Sequence, residues 1–197
     1  MSMQKELGNL KRGLAFVISA PAGTGKTTLA KMLFHEFSCV SSSISYTTRG
    51  PRVGEVNGKD YHFISKEQFE EKIRSGDFLE YAKVYDDYYG TSREFVNVEL
   101  NQGKHVVLVI DTQGAVQLMK TFDAKFIFIL PPSLSCLKAR LSERRSETPQ
   151  TIEHRLSWAE KEISMAASYD YQIINEDLKT AYLVLKSILI AEEHKNQ

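Results

Sequence analysis

The feature that most constrains the fold is an apolar run that leads directly into a glycine-containing loop and then a helical pattern. Residues 14–19 (LAFVIS) form a short continuous apolar run, which is typical of a strand buried on both faces. A loop with the sequence APAGTGKT follows at 20–27, and a helical pattern extends from 27 to about 37. A strand, a glycine loop and a helix in this order are the context that a phosphate-binding loop requires. The pattern therefore predicts a site for a nucleoside triphosphate.

The chemistry of this loop fits a triphosphate, although its first position departs from the usual pattern G-x-x-x-x-G-K-[ST]. Gly25, Lys26 and Thr27 match the last three positions, and Ala20 stands where the first glycine is usual. Gly23 and Gly25 allow successive backbone N–H groups to point at one anion. Lys26 can reach the β- and γ-phosphates, and Thr27 can place its hydroxyl on Mg²⁺. An ordinary glycine-containing turn is the alternative, which the flanking strand and helix disfavour.

Apolar strands and helices alternate in the second half of the chain. Strands are predicted at 105–110, 125–130 and 171–174, with helical patterns between and after them. This alternation predicts an α/β fold of three layers, in which helices cover both faces of a central, mainly parallel sheet.

Two stretches interrupt the alternation. Residues 47–92 are rich in turn signals and polar aromatics, and YYGT at 88–91 predicts a turn. The arginine-rich stretch at about 140–155 predicts a mobile loop between helices. We therefore expect a core made of 1–46 and 93–197, with 47–92 as an inserted lobe of mixed strands.

Composition and charge argue against several classes of protein. The chain has 25 basic and 25 acidic residues, whereas proteins that bind nucleic acid usually carry a basic excess. Its start is polar without a signal-peptide pattern, and its apolar runs are too short to span a bilayer. Cys39 and Cys136 lack metal-site spacing and fit a reducing compartment. We expect a cytoplasmic monomer or small homo-oligomer that binds neither nucleic acid nor membranes.

A second anion site is predicted in the turn-rich stretch. Arg49 and Arg52 lie three residues apart, and guanidinium groups can grip phosphate with two parallel hydrogen bonds. Tyr61 could add a neutral hydroxyl donor. A solvated surface loop is the alternative, and the arginine pair alone does not decide between the two.

Several segments together resemble the guanylate kinase family, over residues 13–190. They are APAGTGKT at 20–27, SYTTRGPRVGEVNGKDYHF at 45–63, FLEYAKV at 78–84, YYGTS at 88–92, IDTQG at 110–114 and LPPS at 130–133. The resemblance implies a phosphate-loop kinase with a core, a GMP-binding lobe and a helical lid. It implies ATP as phosphoryl donor, GMP as acceptor and Mg²⁺ as the accompanying metal.

The resemblance also implies roles for individual residues, matched position by position. The implied GMP-binding residues are Ser45, Arg49, Arg52, Glu55, Tyr61, Glu80, Tyr89, Thr91 and Asp111. The implied ATP-binding residues are Ala20, Pro21, Ala22, Gly23, Thr24, Gly25, Lys26, Thr27, Thr28 and Asn175. The implied catalytic residues are Lys26, Arg49, Arg140, Arg144 and Arg155, and Thr27 is the implied metal ligand.

The residues implied around the base suit guanine. Guanine presents the donors N1–H and N2–H, which suit the carboxylates of Glu80 and Asp111, and the acceptor O6, which suits the hydroxyls of Ser45 and Thr91. Adenine reverses this pattern, and such a site can reject the wrong partner by about 10⁴ or more. The acceptor phosphate is largely dianionic at neutral pH, so that it needs no general base.

The chain departs from the family pattern at three places. Besides Ala20, Val109 stands where the family commonly has an aspartate near the metal, and Glu143-Arg144-Arg145-Ser146 replaces a Gly-Arg-Gly-Thr-like run. Register favours Arg144 as the phosphate-facing arginine, with Arg145 as the alternative. Two alternatives from other functional classes are a catalytically silent domain of the same fold that binds phosphopeptides, and a phosphate-loop kinase for a sugar phosphate. The intact Gly25-Lys26-Thr27 disfavours the first, and the implied base-binding residues disfavour the second.

Overall fold

The computed structural model describes residues 5–84, 86–143 and 149–195, and it has two sheets. The larger is a parallel sheet of five strands in the order β2-β7-β1-β8-β9. Its strands are β1 Ala15–Ser19, β2 Val40–Ser42, β7 His105–Val109, β8 Lys125–Leu130 and β9 Tyr171–Ile174. The smaller sheet has the order β4-β3-β6-β5 and mixes parallel and antiparallel pairs. Its strands are β3 Tyr46–Thr47, β4 His62–Phe63, β5 Phe78–Val84 and β6 Asp87–Ser92.

Helices connect the strands of both sheets, and those of the core cover the parallel sheet. They are α1 Lys26–Glu36, α2 Lys66–Arg74, α3 Arg93–Asn101, α4 Thr112–Met119, α5 Leu134–Glu143, α6 Pro149–Ser164 and α7 Leu178–Glu193, with a short 3₁₀ helix at Ala166–Ser168. In the described part of the chain, none of them is long and apolar enough to cross a membrane.

The central strand β1 shows why the fold has three layers. All five of its residues are buried, and successive side chains of a strand point to opposite faces. Phe16 and Ile18 pack with apolar residues of α1 and α7, whereas Ala15 and Val17 pack with those of α3 and α4. Burying a side chain as large as Phe16 stabilises the fold by about 1.5–3 kcal/mol. The predicted α/β architecture with a mainly parallel sheet is confirmed.

Local signals in the sequence set several element boundaries correctly. The run FLEYAKV predicts a strand at 78–84, which are the bounds of β5. Ser65 with Gln68 three residues on predicts a helix cap, and Ser65 caps α2 in a reciprocal pair of hydrogen bonds with Gln68. The stretch VSSSIS at 40–45 predicts one strand, but only its first three residues form β2, and the chain joins the smaller sheet at Tyr46.

The turn predicted at 88–91 is wrong, because these residues lie within β6. The ring of Tyr88 stacks on that of Phe69, with centroids 5.3 Å apart. A Cβ atom at Gly90 would lie 3.0 Å from both Phe69 and Phe78, so that this glycine makes room for two rings and does not form a turn. Packing across the sheet therefore outweighs the local turn signal.

The mobile loop predicted at about 140–155 is also wrong in the part that the structure describes. Residues up to 143 belong to α5 and those from 149 belong to α6, while Arg144 and Arg145 lie outside the described residues. Leu137 and Leu141 of α5 pack with Ile152 and Ala159 of α6 in a small apolar cluster. This cluster explains why the two segments form a helical pair.

Candidate active site

The phosphate loop, residues 20–27, joins the end of β1 to the start of α1. Gly23 and Gly25 have φ angles of +90° and +91°, which only glycine adopts readily, and Gly25 is the N-terminal cap of α1. Asn175, which is only 4% exposed, donates from its side-chain amide to the carbonyl of Thr24 at 2.7 Å. A Cβ atom at Gly25 would lie 2.5 Å from that amide nitrogen. The side chain of Asn175, which follows β9, thus stabilises the backbone conformation of the phosphate loop.

Lys26 extends from the loop across the carboxyl end of the sheet. Its Nζ donates to the backbone carbonyl of Ile110 at 3.0 Å, just beyond β7. Burial lowers the pKa of Lys26, and the negative charges of Asp111 and Glu162 oppose that shift. The ammonium group therefore lies near two carboxylates that line the same cavity, at the edge where parallel α/β folds bind ligands.

A cavity of about 200 Å³ lies between this edge and the smaller sheet; it is called the acceptor cavity below. Its polar lining consists of Lys26, Ser45, Tyr61, Glu80, Tyr89 and Asp111. The structure thus brings together six residues that are far apart in the sequence and that the resemblance assigned to one reaction.

The two carboxylates of the acceptor cavity are held by different contacts. Glu80 is only 5% exposed and accepts a hydrogen bond from the hydroxyl of Thr91 at 2.6 Å. Burial raises the pKa of Glu80 to about 7, and the charge of Asp111 adds to this effect. Asp111 is the N-terminal cap of α4: its Oδ1 accepts from the backbone N–H of Gly114 at 2.8 Å. Its Oδ2 is buried and has no hydrogen-bond partner among the described residues.

A buried carboxylate oxygen without a partner is costly unless a ligand supplies a donor. Asp111 and Glu80 line the same cavity, and the charge of Asp111 contributes to the raised pKa of Glu80, so a ligand with two neighbouring N–H groups fits them. The helix cap fixes the direction of Oδ2, because Oδ1 is already bound to the α4 backbone.

The predicted anion-binding loop is organised around Arg49. Its guanidinium group binds Glu55 at 2.9 Å, the hydroxyl of Tyr89 at 3.2 Å and the carbonyl of Gly50 at 2.7 Å, and it lies over the ring of Tyr61. The hydrogen bond to Glu55 raises the pKa of Arg49 further above its usual range. Arg49 is therefore a permanent cation at the rim of the acceptor cavity, held in place by neighbours on both sides.

A second cavity of about 390 Å³, called the bridging cavity below, adjoins the first. It shares Lys26 and Asp111 with the acceptor cavity and reaches Ala20 and Ala22 of the phosphate loop. Helix α6 contributes Arg155, as the resemblance implied, together with Trp158 and Glu162. Lys83, Trp158 and Glu162 were not predicted from the sequence. The spacing of 155, 158 and 162, which places them on one helical face, was the available signal for Trp158 and Glu162.

Other predicted residues lie around the two cavities without lining them. Thr91 acts through Glu80, Arg52 is exposed beside Glu55, and Arg140 donates to the backbone carbonyl of Asn175 at 2.9 Å, next to the phosphate loop. Thr28 is exposed on α1, and Arg144 lies outside the described residues.

Thr27 fits a magnesium ion as a single protein ligand. Its side chain is exposed at the first turn of α1 and lines a cavity of about 440 Å³ together with Glu55, Asp60 and the apolar Val109. In the described ranges no group of three or more acidic, histidine or cysteine side chains forms a metal cage. Mg²⁺ commonly takes one or two protein oxygens and completes its shell with phosphates and water, so this set suits it.

Comparisons with known proteins agree with this geometry. A family model described as guanylate kinase matches residues 12–192. A guanylate kinase of Protochlamydia amoebophila is 61% identical over 188 residues, which cover 95% of this chain and 95% of that protein. One of Chlamydia muridarum is 48% identical over 91% of this chain and 88% of its own length. The crystal structure of guanylate kinase from Anaplasma phagocytophilum has a TM-score of 0.79 and 34% identity, covering 94% of this chain and 88% of that one.

Proposed function

The chain belongs to the guanylate kinase family and is an ATP:GMP phosphotransferase, and on that premise we propose which of its residues carry the reaction. GMP occupies the acceptor cavity, ATP lies on the phosphate loop, and the phosphates meet at Lys26 in the bridging cavity. The observation that carries this assignment is the buried, unpartnered Oδ2 of Asp111, in the same cavity as the buried carboxylate of Glu80.

Guanine recognition is assigned to the residues that surround these carboxylates. Asp111 Oδ2 and Glu80 accept hydrogen bonds from N1–H and N2–H of guanine, while Ser45 supplies a hydroxyl for O6. Thr91 keeps Glu80 in place, since its hydroxyl donates to Glu80 at 2.6 Å. Adenine would point its N1 lone pair at a carboxylate, and this mismatch selects against AMP.

The phosphate of GMP is assigned to Arg49, Tyr61 and Tyr89, with Arg52 and Glu55 at the rim. Arg49 is already oriented by Tyr89 and Glu55, so phosphate binding requires little reordering of its long side chain. Glu55 also accepts from the backbone N–H of Arg52 at 2.7 Å and thereby shapes the loop that carries both arginines.

The triphosphate of ATP is assigned to the backbone of the phosphate loop, with Lys26 on its β- and γ-phosphates. Asn175 supports the loop backbone and Arg140 braces Asn175, which favours a positioning role for both over direct contact with adenine. Thr27 would ligate Mg²⁺, which, when bound, neutralises charge that develops on the phosphates. Arg155 contributes positive charge from α6, and Arg144 is assigned the same role from register.

The transfer needs alignment more than acid–base chemistry. The GMP phosphate is already largely dianionic, so its oxygen attacks the γ-phosphorus and the bond to the β-phosphate oxygen of ADP breaks. Lys26, Arg49 and Arg155 reduce the repulsion between two anions and hold them in line. The smaller sheet and the pair α5–α6 close over the phosphates and exclude water, which would otherwise hydrolyse ATP.

The same proposal covers the protein's organisation and setting. Residues 47–92 act as the GMP-binding lobe, and about 140–155 act as a lid on the remaining core. The enzyme works in the cytoplasm, as a monomer or small homo-oligomer, in purine nucleotide metabolism and GMP recycling, and it also accepts dGMP. A catalytically silent phosphopeptide-binding domain is not supported, because Gly25, Lys26 and Thr27 are intact and the similar proteins are guanylate kinases over nearly their whole length.

A single assay tests the proposed function. The purified chain is incubated with Mg²⁺, ATP and one acceptor, and both ADP and the phosphorylated acceptor are quantified by chromatography. We expect GDP from GMP and dGDP from dGMP, with no turnover when Mg²⁺ is omitted. ADP formation without GDP would contradict the proposal, because it would show hydrolysis in place of transfer.

A further inference from the structure

Helix α6 presents a carboxylate to the phosphate loop that the proposed function does not use. Arg155, Trp158 and Glu162 are spaced three and four residues apart, which places them on one face of the helix. All three line the bridging cavity, opposite Lys26 and the start of the phosphate loop. Glu162 is thus the acidic end of a helical face that also carries an arginine of the lid.

Among the residues that the structure describes, the contacts of Glu162 are few and weak. Its Oε1 accepts a long hydrogen bond, 3.4 Å, from the hydroxyl of Thr112, the first residue of α4. Burial raises the pKa of Glu162 to about 7, the charge of Lys26 opposes this shift, and that of Asp111 adds to it. A half-buried carboxylate that is held so loosely stabilises a fold little, because the cost of removing it from water is not offset by strong partners.

Glu162 and Lys26 nevertheless act on each other across the cavity. The negative charge of Glu162 is one of the two that oppose the effect of burial on Lys26, and the other belongs to Asp111. An ammonium group has three N–H donors, of which one is bound to the Ile110 carbonyl. The two carboxylates therefore favour an orientation of Lys26 in which its other two N–H donors face the cavity.

We propose that Glu162 is a positioning residue for phosphoryl transfer: it holds the ammonium group of Lys26 toward the bridging cavity and thereby sets the distance between the phosphate loop and helix α6. Because Arg155 lies on the same helical face, the placement of Lys26 and that of Arg155 are linked through Glu162. This inference rests on the proposed function, since it assigns the phosphates to the cavity that these three side chains line.

The proposal separates turnover from binding. Glu162 does not line the acceptor cavity, so its loss should leave the KM for GMP unchanged. Its charge lies beside the place assigned to an anionic triphosphate, so neutralising it should not weaken ATP binding. A small misplacement of groups that align two phosphates can lower the rate by about 100-fold. The loss should therefore appear in kcat.

The direct test is Glu162→Gln, which keeps the size of the side chain and an oxygen for Thr112 but removes the charge. We expect kcat to fall about 10- to 100-fold. The KM for GMP and the Kd for ATP, measured by titration calorimetry, should stay within about threefold of wild type. Glu160→Gln is the matched control, because Glu160 lies on the exposed side of the same helix, and it should behave as wild type.

Each other result would overturn the inference. A kcat within about twofold of wild type would show that the carboxylate does not position the reacting groups. A fall in Tm of more than about 5 °C, or a KM for GMP that rises as kcat falls, would assign Glu162 to the fold. If the wild-type enzyme itself made no GDP, the proposed function would fail first, so the two failures are distinguishable.

A second experiment asks whether Glu162 acts through Lys26. Lys26→Arg keeps a cation on the loop but changes its shape, and it should lower kcat by itself. If the two residues act as one unit, the double variant should be no slower than the slower single variant, within about threefold. Multiplicative losses would contradict the coupling and overturn the inference.

Discussion

Asp111→Asn is the substitution that most sharply tests how the acceptor cavity recognises its base. Asparagine caps helices about as well as aspartate, so its oxygen should keep the hydrogen bond from Gly114 that Asp111 Oδ1 now accepts. The amide NH₂ then replaces Oδ2 and points a donor at the place assigned to guanine N1–H. The substitution thus reverses the polarity of one buried atom and leaves the backbone unchanged.

The expected loss follows from the hydrogen bonds involved. A hydrogen bond to a charged group is worth about 1.5–3 kcal/mol, and a buried donor left without a partner costs about 1–3 kcal/mol. The sum of about 2.5–6 kcal/mol corresponds to a loss of about 60- to 20,000-fold in affinity for GMP. The affinity for AMP should not fall, since adenine N1 accepts a hydrogen bond, so the preference for GMP over AMP should collapse.

Titration calorimetry with GMP and AMP measures both affinities, and thermal unfolding checks the fold. The Tm should change by no more than about 4 °C, because only the charge near the α4 N-terminus is lost. Asp177→Asn is the matched control: Asp177 caps α7 in the same manner, through the backbone N–H of Thr180 at 2.8 Å, but lies outside both cavities. An Asp111→Asn variant that binds GMP within threefold of wild type would refute the reasoning.

Three further predictions concern Lys26, Glu80 and Glu193. Lys26→Ala should nearly abolish turnover in the coupled ADP assay. The Kd for GMP should stay within about threefold of wild type, because the contacts to the base and most contacts to the GMP phosphate are made by other residues. Normal turnover would contradict the proposed role of the phosphate loop. Glu80 must be ionised to accept a guanine donor with the oxygen that Thr91 does not bind, and burial raises its pKa to about 7. GMP affinity should therefore fall more steeply from about pH 8 to about pH 6 in the wild type than in Glu80→Gln. The titration of the GMP phosphate is the same in both experiments and cancels in the comparison. Parallel pH profiles would contradict the role of the Glu80 charge. Glu193→Ala should lower the free energy of unfolding in urea by about 3 kcal/mol, because Glu193 is 4% exposed and binds His105 Nε2 at 2.5 Å and the backbone N–H groups of Gly8 and Asn9. The control Glu176→Ala, at an exposed position, should change that free energy little. Equal effects of the two substitutions would refute the structural role of Glu193.

What could be predicted from the sequence is mostly what depends on neighbours along the chain. The strand, glycine loop and helix around 20–27 form one local unit, and the structure has it as predicted. The same holds for the helix cap at Ser65, where the donor and acceptor are three residues apart. In such places local geometry and burial lead to the same structure, which is why the α/β core was predictable.

The rest depends on contacts between distant segments. Gly90 was misassigned because its function is to make space beside Phe69 and Phe78, which turn propensity cannot report. Glu162 was missed because its neighbours Lys26 and Asp111 come from other elements. The convergence of Glu80 and Asp111 was predicted only through the resemblance to a family, since they are 31 positions apart in the sequence, Glu80 in the smaller sheet and Asp111 just beyond β7 of the larger one.

The central claim is that Asp111 and Glu80 make the acceptor cavity selective for guanine, and the ratio of kcat/KM for GMP to that for AMP in the wild-type enzyme tests it most directly. Both values come from the same ADP-formation assay at saturating ATP, with CMP and UMP as further acceptors. A site that matches two donors of guanine predicts a ratio of about 10⁴ or more. A ratio near one would contradict the account, because phosphate binding by Arg49 and Lys26 alone cannot tell one base from the other.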